Sequence, residues 1–186
     1  MATMTTDLVA EGGAAALAAS AEPGPAAPPA DDARLNAWRN FLHAHARLTR
    51  RLDEELQAAH QLSLAEYDAL LQLARTPGRR LRMSALAERV LLSRSGITRL
   101  VDRLEAAGMV SRSACMTDAR GAEAILTTDG LRRLREASRT HLSGVERYFL
   151  DVVAPADQAA MERGLDRVLD GLGCNGAVDA ACETHG

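Results

Sequence analysis

Lysine is absent from the 186 residues; all 22 basic side chains are arginine. The bias toward Arg, Ala and Gly runs the length of the chain and reads as coding bias, so it carries little functional weight alone. Arginine nevertheless suits bidentate contacts to phosphate and guanine. Aromatic residues make up only 3% of the chain, so Leu, Val, Ile and Ala must fill the core. Cys115, Cys174 and Cys182 are too scattered for a disulfide framework, and an odd number suits a reducing, cytoplasmic setting. No run of eighteen apolar residues exists, so no membrane-spanning segment is expected, and the N-terminus lacks the basic and apolar regions of a signal peptide. Regular metal-ligand spacing is missing from Cys174, Cys182 and His185, and from His43, His45 and His141. With no recognisable nucleophile–base pair or phosphate loop either, neither an enzyme nor a cofactor site is expected.

What is present is a segregation of charge. Residues 1–33 hold five acids and no base. Residues 75–121 hold ten arginines against Glu88, Asp102, Glu105 and Asp118, a net of +6. From Asp151 onward seven acids face only Arg163 and Arg167. A basic middle between acidic ends is the footprint of a phosphate-binding module inside an acidic protein.

Within that middle, Ser93 can cap a helix in which Ile97, Leu100, Val101 and Leu104 recur at i, i+3, i+4 and i+7. Ser95, Thr98, Arg99 and Asp102 then fall on the opposite face, and Gly108 supplies a left-handed stop. Hydroxyls and guanidinium near a helix N-terminus suit phosphates and the acceptor edge of guanine. A short helix from Ser84 through Leu91 precedes it, giving a helix-turn-helix, although Leu91 stands where the turn usually has glycine. Val110–Cys115 and Ala122–Leu126 read as a β-hairpin, a wing with Arg120 at its tip and Gly121 permitting the turn.

The remaining parts frame this module. Residues 1–31, rich in Ala, Gly, Pro and acid, are expected to be a disordered extension. Residues 32–62 form a long helix whose near-heptad spacing exceeds what a small domain needs, so part of it should pack on a second subunit. The winged helix-turn-helix, read as a DNA-binding domain, covers 63–127, opening with a helix over Leu64–Arg75 and a short strand expected over Arg79–Met83. Residues 128–173 hold a helix to Val153 and, after Pro155, a second one, and 174–186 form a loose tail. The expected fold is mainly α with a small β-hairpin wing.

This order of parts resembles the multiple-antibiotic-resistance regulator (MarR) family. The similarity is carried by MSALAERVLLSRSGITRLVDRLEAAGMVSR at 83–112, by D-x-R-G as Asp118, Arg120 and Gly121, and by A-x-L-T-x-x-G as Ala124, Leu126, Thr127 and Gly130. It spans about 33–172. The resemblance implies a homodimer built from the N-terminal helix and the C-terminal helices of 128–173, bound to a pseudo-palindromic operator, with transcriptional repression and release by a small ligand or by oxidation. It implies Ser95, Thr98 and Arg99 in the major groove, Arg120 in the minor groove with Asp118 orienting it, and Arg94 and Arg112 on backbone phosphates. It also implies a ligand lodged between the dimer helices and the winged module, where Trp38, Phe41, His45 and Tyr67 would suit a phenolic or aromatic acid. Two alternatives stay open: a redox-responsive regulator using Cys115, Cys174 or Cys182, and a winged helix that binds protein instead of DNA.

Overall fold

Residues 34–114 and 122–173 are described in a computed structural model of the chain. The chain divides into two units between Arg39 and Asn40, and the described part of the first is the opening of α1 (Arg34–His60). The second unit, from Asn40 onward, holds the rest of α1 and every later element. Along its part of α1 the expected stripe splits: Leu52 and Leu56 are buried, whereas Phe41, Leu42 and His45 are exposed.

α2 (Leu64–Arg75) begins with a capping box, in which Ser63 Oγ accepts the Glu66 amide and the Glu66 carboxylate accepts the Ser63 amide. Leu70 and Leu73 are fully buried, and Leu71 is half-buried. A 3-10 turn over Pro77–Arg79 leads into β1 (Arg80–Arg82), where only Leu81 points inward.

α3 (Met83–Arg89) ends two residues before the predicted Leu91. The physical reason is local: Leu91 turns left-handed at φ 56°, and two bonds close the helix, Leu92 N–H to Ala87 at 2.9 Å and Leu91 N–H to Glu88 at 3.2 Å. α4 (Arg94–Ala106) ends by the same paired bonds, Met109 to Leu104 and Gly108 to Glu105, both at 2.9 Å. There the left-handed residue is Gly108, as its position predicts. Ile97, Leu100, Val101 and Leu104 are all buried, so the stripe packs as its period requires.

β2 (Val110–Ala114) and β3 (Ala122–Leu126) form the hairpin, with Val110 opposite Leu126 and Arg112 opposite Ala124. β1 adds to the other edge of β3, giving an antiparallel sheet in the order β1-β3-β2. The turn between β2 and β3, and with it Cys115, Asp118, Arg120 and Gly121, lies outside the described residues, as do the 1–33 extension and the tail with Cys174 and Cys182.

α5 (Thr128–Val145) is capped by Thr127 and gives way to a π-helical turn over Glu146–Leu150 instead of continuing as α-helix to Val153. The wider turn lays Tyr148 on α1. Its hydroxyl donates to Glu55 at 2.5 Å and accepts from Arg51 and Arg147 at 3.3 Å each. α6 (Pro155–Gly171) starts with Pro155 in its first turn, as expected, and buries none of its residues. The core lies among the second half of α1, α2, α3, α4, the sheet and the first half of α5, and most of its fully buried large side chains are leucines.

Candidate nucleic-acid interface and adjoining cavity

The face of α4 opposite its buried stripe meets solvent, so Ser95, Thr98, Arg99 and Asp102 are all exposed, as is Arg94 in the first turn. Ser93 Oγ accepts the Gly96 amide at 3.1 Å and lies 3.2 Å from Ser95 Oγ. The Thr98 hydroxyl donates to the Arg94 carbonyl at 2.8 Å, which spends its proton within the helix and leaves its oxygen able only to accept. Among the described residues, neither Arg94 nor Arg99 engages its guanidinium in an ion pair or hydrogen bond. Two exposed guanidiniums without a partner among the described residues, Arg94 in the first turn and Arg99 on the polar face, can meet phosphate or a base edge without first giving one up.

Arg112 differs. It is half-buried, with Nη1 2.6 Å from Asp102 and 3.4 Å from Glu105, while Nη2 donates to the Thr98 carbonyl at 3.1 Å. Its own amide donates to Glu105. These bonds tie β2 to α4. Arg112 can meet a phosphate only by exchanging carboxylate partners for it.

Away from that face, α1, α2 and α5 line an open cavity of about 730 Å³ whose walls include His45, Thr49, Asp53, Tyr67, Asp68 and His141. That volume lies within the range of small-molecule sites. Tyr67 is buried, packs at a tilt against His141 at 4.6 Å between ring centroids, and donates to Ser138 Oγ at 3.3 Å. His141 Nδ1 is buried without a hydrogen-bond partner among the described residues. Burial lowers the His141 pKa against an opposing pull from Asp68. Burial likewise raises the Asp68 carboxyl, opposed by Gln72, Arg75 and His141.

Of the four side chains expected to converge on a ligand, His45 and Tyr67 line this cavity. Phe41 stacks on His45 at 6.2 Å but is not one of its walls, and Trp38 belongs to the preceding unit. The sequence gives no sign of Asp68 and His141 as a pair, since they lie far apart along the chain. Glu66 and Arg103, bonded at 2.7 Å between α2 and α4, are equally hidden as partners. Half of that contact is visible, because Ser63-Leu64-Ala65-Glu66 has the S-x-x-E spacing of a capping box.

Comparison with known proteins gives the arrangement a context. The sequence profile described as MarR family matches residues 60–121. No curated protein sequence matches the chain. The fold is similar to the crystal structure of AbsC, a MarR family transcriptional regulator from Streptomyces coelicolor, with TM-score 0.71 and 33% identity over 77% of this chain and 97% of that one. Sco3205, a MarR family transcriptional regulator from the same organism crystallised in complex with DNA, gives TM-score 0.70 and 35% identity over 74% of this chain and 86% of that one. A mutant MarR from E. coli complexed with operator DNA shares the fold at TM-score 0.64, with 21% identity over 73% of this chain and 95% of that one. With a winged helix-turn-helix in place, and 33% identity to a MarR family regulator over 77% of its length, the chain belongs to the MarR family of transcriptional regulators.

Proposed function

We propose that this regulator is a homodimeric repressor, acting in the cytoplasm, that binds a pseudo-palindromic DNA operator and is released by a small aromatic or phenolic ligand. The observation that carries the DNA-binding half is the exposed α4 face, where Arg94 and Arg99 have no internal partner among the described residues and stand beside Ser95 and Thr98. In this reading Ser95, Thr98 and Arg99 meet base edges, Arg94 and Arg112 meet phosphates, and Arg120, oriented by Asp118, enters the minor groove. Sco3205, crystallised with DNA at 35% identity, supports it.

Dimerisation is supported by apolar side chains left in solvent. Met161, Leu165 and Val168 recur along one side of α6 at 39%, 39% and 56% exposure, and Leu42 of α1 is 45% exposed. A single chain gains nothing by exposing such stripes; a second copy would cover them. Residues 32–62 and 128–173 are thereby assigned to the dimer, and 63–127 to DNA. The ligand half rests on the cavity, whose apolar walls and polar groups at Tyr67, Asp68 and His141 match an aromatic guest with a polar tip.

Selection of bound fragments from random DNA tests the reading. Two half-sites about 34–36 Å apart, one helical turn, are expected from a two-fold dimer. Binding should also fall steeply with salt as phosphate contacts release counterions. A monomeric protein, or one that ignores every duplex at low ionic strength, would overturn it.

A further inference from the structure

The first turn of α2 is gripped from two sides by carboxylates. Asp53 of α1, a wall of the cavity, accepts the Leu64 amide at 2.7 Å. Glu66 divides its two oxygens: one accepts the Ser63 amide at 3.0 Å, and the other accepts Arg103 Nε of α4 at 2.7 Å. Glu66 is only 8% exposed. Burial pushes its carboxyl up, but bonds from Ser63 and Arg103 outweigh this and hold it below the usual carboxylate value. Arg103 lies one turn beyond Arg99 on the same helix, and its Nη1 approaches the Arg99 carbonyl at 3.4 Å.

The leucines between α2 and α4 set how far apart the helices stand, but apolar contact is weakly directional. A charge-assisted hydrogen bond of this length fixes orientation as well. Because α4 is a short rigid rod, a bond at Arg103 governs where Arg99 and Ser95 point.

We propose that Glu66, acting through Arg103, is the positioning residue that sets the rotation and slide of α4 for reading base edges. This rests on the DNA-reading function above. Base-edge hydrogen bonds tolerate little displacement, whereas phosphate contacts by long arginines tolerate more. Loss of the pair therefore lowers specific binding and leaves non-specific binding nearly intact.

The test uses the full chain with its selected operator and a mixed-sequence duplex of equal length, titrated across a salt series. Glu66→Gln keeps the capping box, since Gln serves there as well as Glu, and removes the charge. Arg103→Met changes a side chain that is 59% exposed and keeps its apolar stem, which guards against misfolding; a thermal melt confirms that each variant is folded. Each variant is expected to weaken operator binding about five- to tenfold, which is about 1–1.4 kcal/mol, with mixed-sequence affinity and salt slope unchanged. The double variant should be no weaker than either single one. Equal losses on both duplexes, or no loss on either, would overturn the proposal. So would a shallower salt slope for Arg103→Met alone, which would make Arg103 a phosphate contact. A wild-type chain that binds neither duplex would instead sink the DNA-reading function itself.

Discussion

Gly130 and Met109 meet with no room for a side chain between them. A Cβ added to Gly130 would lie 2.1 Å from the Met109 carbonyl oxygen and 2.9 Å from Leu126 Cδ1. The same carbonyl accepts the Thr127 amide at 3.1 Å, and the Thr127 hydroxyl donates to Gly108 at 2.8 Å while accepting the Gly130 amide at 2.9 Å. The end of α4, the start of β2 and the start of α5 are thus sewn together at one point. Gly130→Ala must separate them. Overpacking of this kind costs about 1–3 kcal/mol, more than the ~0.5–1 kcal/mol that Ala gains over Gly within a helix. The urea midpoint should fall, and a midpoint that holds or rises would show that the junction can open freely.

Leu91 offers the opposite opportunity. Its φ of 56° places an L side chain in the left-handed region, yet the side chain is 90% exposed and packs on little. The left-handed conformation costs a non-glycine residue about 1–2 kcal/mol, and glycine's extra freedom in the unfolded chain returns about 0.4–1 kcal/mol of that. Leu91→Gly should therefore stabilise the protein by roughly 0.5–1 kcal/mol, the difference between those terms, measured by the same titration. Destabilisation would instead place Leu91 in a contact that a single chain does not make.

These two positions mark how far the sequence can be read. α2, the cap and stripe of α4, the strand β3 and the first turn of α6 follow from short-range rules, because caps, periodicity and glycine stops act within a few residues. Gly108 is legible for the same reason, and Leu91 is recognisable as the odd residue in its turn. The early end of α3, the π-turn at Glu146–Leu150 and the pairing of β1 with β3 are not legible. The last two depend on partners distant in sequence: the turn follows Tyr148 to Glu55, 93 residues away. The site divides similarly. The exposed face of α4 follows from 100° per residue, but the engagement of Arg112 with Asp102 and Glu105 requires β2 to lie against α4. His141 and Asp68 share a cavity only because α2 and α5 pack together.

His141 makes the cavity sensitive to pH. Burial holds its folded pKa below the ordinary 6.5, so the folded protein keeps the ring neutral where the unfolded chain would protonate it. Stability from this source is complete above the unfolded value and is lost as pH falls below it toward the folded pKa. Asp68, nearby, opposes the shift without reversing it. The melting temperature of the wild-type protein should therefore drop between pH 7 and pH 5 more steeply than that of His141→Gln. Parallel curves would mean that His141 gains its proton equally well in both states. Glu66 has a lowered pKa and responds at more acid pH, below the ordinary 4.5, so the two contributions separate along the pH axis.

The proposed DNA contacts differ in what each should do to base preference, and that difference is measurable. Arg99 is exposed on the α4 face; if it reaches a guanine, Arg99→Ala should cost about 1–3 kcal/mol and relax preference at one operator position in each half-site. Arg120 follows Asp118 in the hairpin connection and is proposed to enter the minor groove, where narrow A·T geometry concentrates negative potential. Arg120→Ala should weaken binding and reduce A·T preference beside the half-site, without touching the position that Arg99 reads. Fragment selection repeated with each variant gives both profiles. An Arg99→Ala profile that weakens every sequence equally would make Arg99 a phosphate contact, because phosphate carries no sequence information. An Arg120→Ala profile identical to wild type in strength and preference would remove the wing from recognition and leave α4 as the sole reader in each half of the proposed dimer.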